Sequence, residues 1–354
     1  MLNLLPSALL AAALLPPLSC AVFNPNATTN LFVYYAQSSG RYARLDELCL
    51  QSAVDVVILG FIRDFNATAG YPTIDFGPWI CPAKRPANSA VAPGLATCPE
   101  LAAQVQKCQD IGKKIFVSIG GASSNTSFDG DGGGQDAQDA AHMLWQLFGE
   151  GSDTPDLRPL GKVAVDGFDI GACPAFAPLA PPCLMLTAAD HEVGSPSNYD
   201  QFVKTLRSLL ATASKPMWIS AAPLCAFTNR TIGPKTLALV DFIFVRFYNS
   251  QGCSIGTKGF ATSLDKWYTS MPEPEAAFPK FCLSGLSFDN NNSGFARPED
   301  FADAIEQARK ANLQRFNPDK FGGVALWDGS RGLATTAENG LNFLAYTKNV
   351  LEAP

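Results

Sequence analysis

Eight short apolar runs, rich in Val, Ile and Phe, recur along the chain at residues 31–35, 54–62, 114–120, 163–170, 217–221, 242–248, 281–286 and 323–327. Between most of them lie amphipathic stretches, at 43–52, 100–111, 137–148, 199–212 and 298–312. A strand that is apolar throughout must be covered on both faces, and a helix returning between two strands leaves them parallel. Eight such units in 354 residues predict a closed (β/α)8 TIM barrel, a single domain of the α/β class. An open doubly wound sheet is the alternative, but no glycine-rich dinucleotide fingerprint follows the first run.

The chain is 47% apolar and 16% charged, enough to bury a large core and too apolar for disorder. Its net charge of -6 and the lack of any Lys/Arg run argue against a nucleic-acid partner. Residues 2–15 are almost wholly apolar, Pro16 and Pro17 break the run, and Ser19-Cys20-Ala21 supplies small residues for cleavage. That pattern predicts an export leader over 1–21 and a folded domain over 22–354. The apolar run is too short to span a bilayer comfortably and no later segment qualifies, so no membrane association is expected. Ten cysteines and five Asn-x-Ser/Thr sequons, at Asn26, Asn66, Asn125, Asn229 and Asn291, suit a secreted, extracellular, disulfide-bonded glycoprotein. After the last amphipathic stretch we expect neither an appended carbohydrate-binding module nor a lipid anchor.

In a parallel barrel, function gathers at the C-terminal ends of the strands. Here those ends read Val33-Tyr34-Tyr35-Ala36-Gln37, Ser118-Ile119-Gly120-Gly121, Val165-Asp166-Gly167-Phe168-Asp169-Ile170, Ser220-Ala221-Ala222-Pro223, Val245-Arg246-Phe247-Tyr248-Asn249 and Val324-Ala325-Leu326-Trp327-Asp328. Six such pieces, in order along nearly the whole chain, resemble glycoside hydrolase family 18, in the compact chitinase form of fungi and plants. The resemblance implies a secreted chitinase acting on chitin or chitooligosaccharides, with retention and without a cofactor. Nothing in the sequence demands more than a monomer.

The family signature on the fourth barrel strand is Asp-x-x-Asp-x-Asp-x-Glu. Strand side chains alternate faces, so its last three acids all point into the barrel mouth. The resemblance implies that the Glu protonates the glycosidic oxygen and that the middle Asp holds the substrate's own N-acetyl group for attack on the anomeric carbon. No protein nucleophile is used. This chain supplies Asp166 and Asp169, and then departs from the pattern at Gly171, Ala172 and Cys173. Without gaps, Cys173 stands at the acid position and cannot protonate a leaving oxygen.

Asp190-His191-Glu192 follows downstream. With Gly171 to Ala189 removed, the chain reads Asp-Gly-Phe-Asp-Ile-Asp-His-Glu and the signature is whole. The 19 residues GACPAFAPLAPPCLMLTAA have no amphipathic period, and their 57 nucleotides match the size of a short fungal intron and keep the reading frame. The residues also permit intron ends at Gly171-Ala172 and Ala189-Asp190. We therefore expect 171–189 to be an unspliced intron, the alternative being a genuine inserted loop.

On the restored reading, Glu192 is the acid and base, Asp190 orients the N-acetyl group, and Asp169 and Tyr248 support it. Tyr35, Gln37, Asn249, Arg246 and Trp327 are the expected substrate contacts, with Trp327 as an aromatic floor beneath the reactive sugar. Arg246 stands where plant and fungal relatives usually carry Gln. Asp166, out of phase with the other acids, is expected to brace the site rather than touch sugar, and Gly120 and Gly121 are supporting positions. Neither His142 nor His191 belongs to a zinc-spaced cluster, so no metal is expected. Cys225 with Cys253, Cys49 with Cys108 and Cys81 with Cys98 are the expected bridges; Cys173 and Cys183 share the suspect segment, Cys20 leaves with the leader, and Cys282 is left over. Two rivals remain: a chitin-binding lectin or scavenger that does not cut, and an inhibitor of other glycosidases.

Overall fold

A computed structural model of the chain describes residues 23–37, 43–65, 70–86, 89–121, 124, 126, 128, 132–151, 153–171, 198–227, 232–270, 279–291, 294–315 and 320–353. The strands are β1 (Asn30–Tyr35), β2 (Val56–Asp64), β3 (Thr73–Ile74), β4 (Lys114–Gly120), β5 (Gly167–Gly171), β6 (Trp218–Ala221), β7 (Phe242–Arg246), β8 (Lys280–Leu286) and β9 (Phe321–Trp327). The helices are α1 (Leu45–Cys49), α2 (Pro99–Asp110), α3 (Gly133–Phe148), α4 (Tyr199–Leu210), α5 (Pro234–Leu237), α6 (Phe260–Thr269), α7 (Pro298–Arg315), α8 (Gly329–Ala334) and α9 (Phe343–Glu352). β1 pairs in parallel with both β2 and β9, and the remaining parallel pairings run β9-β8-β7-β6-β5-β4-β2, so eight strands close a barrel. β3 is added antiparallel to the outer end of β2.

Strand alternation sorts the apolar side chains into two layers. Leu31, Val33 and Tyr35 of β1 face the helices, whereas Phe32 and Tyr34 face the barrel interior with Val56, Ile58, Phe116, Phe242 and Phe244. The interior is plugged at its N-terminal end by aromatic rings. Phe23 lies edge-on to Trp218 at 5.0 Å, and Phe32 lies 4.7 Å from Phe244. Aromatic pairs prefer such tilted and edge-on arrangements.

The barrel strands bury side chains on both faces, which is why the runs read as largely apolar rather than alternating; the inward polar exceptions Ser118, Asp169 and Ser220 sit side by side on β4, β5 and β6. All eight expected runs overlap a barrel strand. The fourth is shorter than its run: Val163 and Val165 precede the sheet, and β5 begins at Gly167. The sixth ends at Arg246, because the backbone turns at Asn249, whose φ is 56°. Cys49–Cys108, Cys81–Cys98 and Cys225–Cys253 are bonded, and Cys282 is free and buried. Among the described residues no helix is long and apolar enough to cross a membrane.

Candidate active site

Asp169 is fully buried near the C-terminal end of β5, on the face that points into the barrel. Three hydroxyl groups from three other strands donate to its carboxylate. Ser118 of β4 donates to Oδ2 at 2.6 Å, Ser220 of β6 to Oδ1 at 2.7 Å, and Tyr34 of β1 to Oδ2 at 2.9 Å. Register explains the first two, since Ser118 and Ser220 sit opposite Asp169 on the neighbouring strands. Tyr34 reaches from the far wall. Burial pushes the Asp169 carboxyl above its ordinary range, while the three hydroxyls and the Arg246 guanidinium pull against that shift.

Two residues along β5, Gly171 shares the face of Asp169. A Cβ built on Gly171 would lie 2.9 Å from the Ser118 hydroxyl oxygen and 3.5 Å from Cε1 of Phe61. A side chain at that position therefore points into the same cluster.

An aromatic wall adjoins the carboxylate. Trp327, at the end of β9, stacks on Phe61 with ring centroids 5.7 Å apart and planes 18° from parallel. Tyr34 closes the group at 5.5 Å from Trp327. The peptide bonds Gly60–Phe61 and Trp327–Asp328 are cis. Gly121 has φ 87°, and a Cβ there would lie 2.7 Å from the Phe61 ring, so only glycine admits that ring. The Gly121 N–H also donates to the Gly171 carbonyl at 3.2 Å, tying the ends of β4 and β5 together.

Tyr248 is buried on the next wall. Burial raises its hydroxyl pKa most, the Asp169 charge raises it further, and Arg246 and Ser284 lower it. Arg246 influences Asp169, Tyr34 and Tyr248 together, and its Nε and Nη2 are buried without a hydrogen-bond partner. Asn249 Oδ1 is orphaned in the same way. Buried polar atoms are normally paired, so these groups suit a ligand's donors and acceptors. A cavity of about 410 Å3 opens beside Trp327, with Gln37, Phe288, Asn291, Asp328 and Arg331 among its lining residues.

The structure thus gathers Asp169, Tyr248, Arg246, Trp327, Gly120 and Gly121 in one mouth, and it departs from expectation at two positions. Tyr35 faces the helices, and its hydroxyl donates to the Ala43 carbonyl at 3.0 Å, so it is not a substrate contact here. Asp166 braces the opposite end of the barrel, accepting from the Ile115 N–H at 2.9 Å and from Lys215 at 2.9 Å. Gln37 lines the cavity, but its amide is engaged by the carbonyls of Gly60 and Asp75. Tyr34, Ser118, Ser220 and Phe61 were not singled out from sequence. Ser118, Ser220 and Tyr34 belong to the C-terminal strand ends, and the signal that points to them is an alternation phase that turns them inward with Asp169. Asp190, His191, Glu192, Cys173, Cys183, Cys20, the leader, all of the suspect segment except Gly171, and the sequons Asn66, Asn125 and Asn229 lie outside the described residues. His142 is exposed on α3, and among the described residues no group of His, Cys, Asp or Glu could hold a metal ion.

The sequence profile of the glycosyl hydrolases family 18 matches residues 30–282. Candida albicans chitinase 3 is 30% identical over 346 residues, covering 96% of this chain and 53% of that protein. Saccharomyces cerevisiae endochitinase is 28% identical, covering 93% of this chain and 51% of that protein. The chain therefore spans about half the length of these relatives. Metarhizium anisopliae endochitinase 3, at 29%, is matched over 80% of this chain and 86% of its own length. Among solved structures, a chitinase from Ipomoea carnea superposes with a TM-score of 0.65 at 22% identity, over 91% of this chain and 99% of that one. A xylanase and α-amylase inhibitor protein from Scadoxus multiflorus gives the same TM-score and identity, over 92% and 99%. At that identity the two structures share the fold, one carrying the name of an enzyme and the other of an inhibitor.

Proposed function

The chain belongs to glycosyl hydrolase family 18, and from that premise we propose that it is a secreted chitinase, cutting β-1,4 N-acetylglucosamine linkages with retention. The observation that carries this reading is the triply bonded Asp169 with the side-chain direction at position 171 aimed at Ser118. When 171–189 is absent, Asp190 follows Ile170 and takes that position, and Glu192 follows two residues on along the same face. Three carboxyls, those of Asp169, Asp190 and Glu192, then share one mouth, and their mutual repulsion favours keeping a proton among them.

On this reading Glu192 gives its proton to the glycosidic oxygen as the bond to the anomeric carbon breaks. The substrate's N-acetyl carbonyl oxygen bonds to that carbon from the other side. Glu192, now a carboxylate, takes a proton from the water that displaces the carbonyl, which restores the acid. Asp190 orients the N-acetyl group, Asp169 supports Asp190, and the Tyr248 hydroxyl donates to the carbonyl. Trp327 carries the apolar face of the sugar, while Arg246 and Asn249 offer it their unpaired groups.

The test compares the 354-residue chain with a version lacking 171–189, using chitooligosaccharide hydrolysis and binding. The shortened chain is expected to hydrolyse, with Glu192→Gln lowering kcat by about 10²–10⁴ while sparing binding. The parent chain is expected to be far slower. A parent chain as active as the shortened one would refute the register argument. Sequencing the transcript across the codons for residues 165–199 decides which chain the gene makes. A second reading has one observation in its favour: in the unbroken register Gly171 occupies the strand where an acid would stand. Binding without cleavage by both chains would make the protein a chitin-binding lectin.

A further inference from the structure

We infer that Asn291 carries an N-linked glycan whose inner sugars occupy the cavity beside Trp327. The inference rests on the secreted, N-acetylglucosamine-binding reading above. Asn291 is exposed, and its backbone sits in the left-handed region at φ 61°, with its N–H donating to Asp289 Oδ1 at 2.8 Å. Such a turn is a surface feature. Residues 291–293 read Asn-Asn-Ser, an acceptor for N-glycosylation in a secreted chain.

Asn291 is also part of the wall of the 410 Å3 cavity that holds Trp327, Phe288 and Gln37. A cavity of that size falls in the range of small-ligand sites, about 300–1,000 Å3, and its wall is mainly polar, with amide, carboxyl and guanidinium groups beside Trp327 and the Arg331 guanidinium lying over the Phe288 ring. The two innermost sugars of an N-glycan are β-1,4-linked N-acetylglucosamine units. They are the same chemical unit that the neighbouring site is proposed to take. Tethering places them at an effective concentration on the order of mM, so even weak affinity fills the cavity. The other described sequon provides an internal control. Asn26 is exposed, but its carbonyl accepts from Lys280, the first residue of β8, at 2.7 Å, which puts it at the opposite end of the barrel. Its glycan cannot reach the cleft.

The experiment uses the full chain secreted from a glycosylating host. Peptide mapping reads occupancy at Asn291 and Asn26, and endoglycosidase treatment of the folded protein reads how fast each glycan is released. Binding of the N-acetylglucosamine hexamer and dimer is then measured for the parent, the deglycosylated protein, Asn291→Gln, Ser293→Ala and Asn26→Gln. Expected are an occupied Asn291, slower release there than at Asn26, and a several-fold rise in the hexamer-to-dimer affinity ratio when the glycan is lost. Asn291→Gln and Ser293→Ala should agree, and Asn26→Gln should match the parent. An unoccupied Asn291 in protein that is occupied at Asn26 would overturn the inference, as would equal release rates with an unchanged ratio. Slow release at Asn291 in a protein that binds neither oligomer would support the glycan's place and sink the chitin reading instead.

Discussion

Asp328 is 1% exposed, caps α8 by accepting from the Arg331 N–H at 3.0 Å, and has its pKa pushed up to about 6 by burial against the pull of that hydrogen bond and the Arg331 charge. A carboxyl whose pKa is higher folded than unfolded binds more protons in the folded state. Its stabilising contribution is therefore present below about pH 4 and is lost as pH rises to about 6, a change on the order of 2–3 kcal/mol. Asparagine caps helices as well as aspartate does. Asp328→Asn is thus expected to gain stability relative to the parent at pH 7 and to lose that advantage at pH 4, read from urea midpoints at the two values. Tyr34→Phe acts oppositely. It strips one donor from the buried Asp169 carboxylate, at a cost of about 1.5–3 kcal/mol when that group is ionised. The loss should be larger at neutral pH than in acid, where a protonated Asp169 needs the bond less. The adjacent tyrosines also show where sequence reading stopped. One residue of phase separates Tyr34 in the barrel from Tyr35 under the helices, and nothing in Tyr34-Tyr35 alone states which is which. The phase comes from Phe32 and the interior it joins.

Strands and helices were readable because two-sided burial writes itself into composition. The helical stretches expected at 137–148 and 199–212 appear as α3 and α4, each with its apolar face turned to the barrel. β3 escaped notice because two residues carry no period. The β4 turn was noticed for its glycines, though the role of Gly121 depends on a ring from β2 that sequence does not place beside it. Gly121→Ala should cost about 1–2 kcal/mol for its left-handed backbone and, by displacing Phe61 from under Trp327, weaken chitooligosaccharide binding. Titration calorimetry and thermal unfolding on the same variant check the two effects. Unchanged binding would show that Phe61 does not hold Trp327 in place.

At the scale of the molecule, barrel closure and all three observed bridges agree with expectation: Cys49–Cys108 and Cys225–Cys253 join neighbouring units of the (β/α)8 chain, which lie side by side, and Cys81–Cys98 closes the long connection between β3 and α2. Cys49–Cys108 joins α1 to α2 across 59 residues of chain. In a chain-entropy account that loop is worth about 4 kcal/mol. Replacing both cysteines by alanine should lower Tm by several degrees in calorimetry while leaving ligand binding unchanged, since the bridge lies outside the barrel mouth.

Lys348, in the last turns of α9, donates to the Thr29 carbonyl at 2.9 Å and to Asp55 at 2.8 Å, so the final helix is stapled to the backbone just ahead of β1. The last helix of the barrel and the segment ahead of its first strand therefore meet, beside the seam where β9 pairs with β1. A gene cut open at an outer loop, with a flexible bridge from residue 353 to residue 23 so that the Phe23 ring keeps its place in the plug, should yield a permuted barrel with the same mouth. Its starting point is closer to a convention than to a requirement of the architecture.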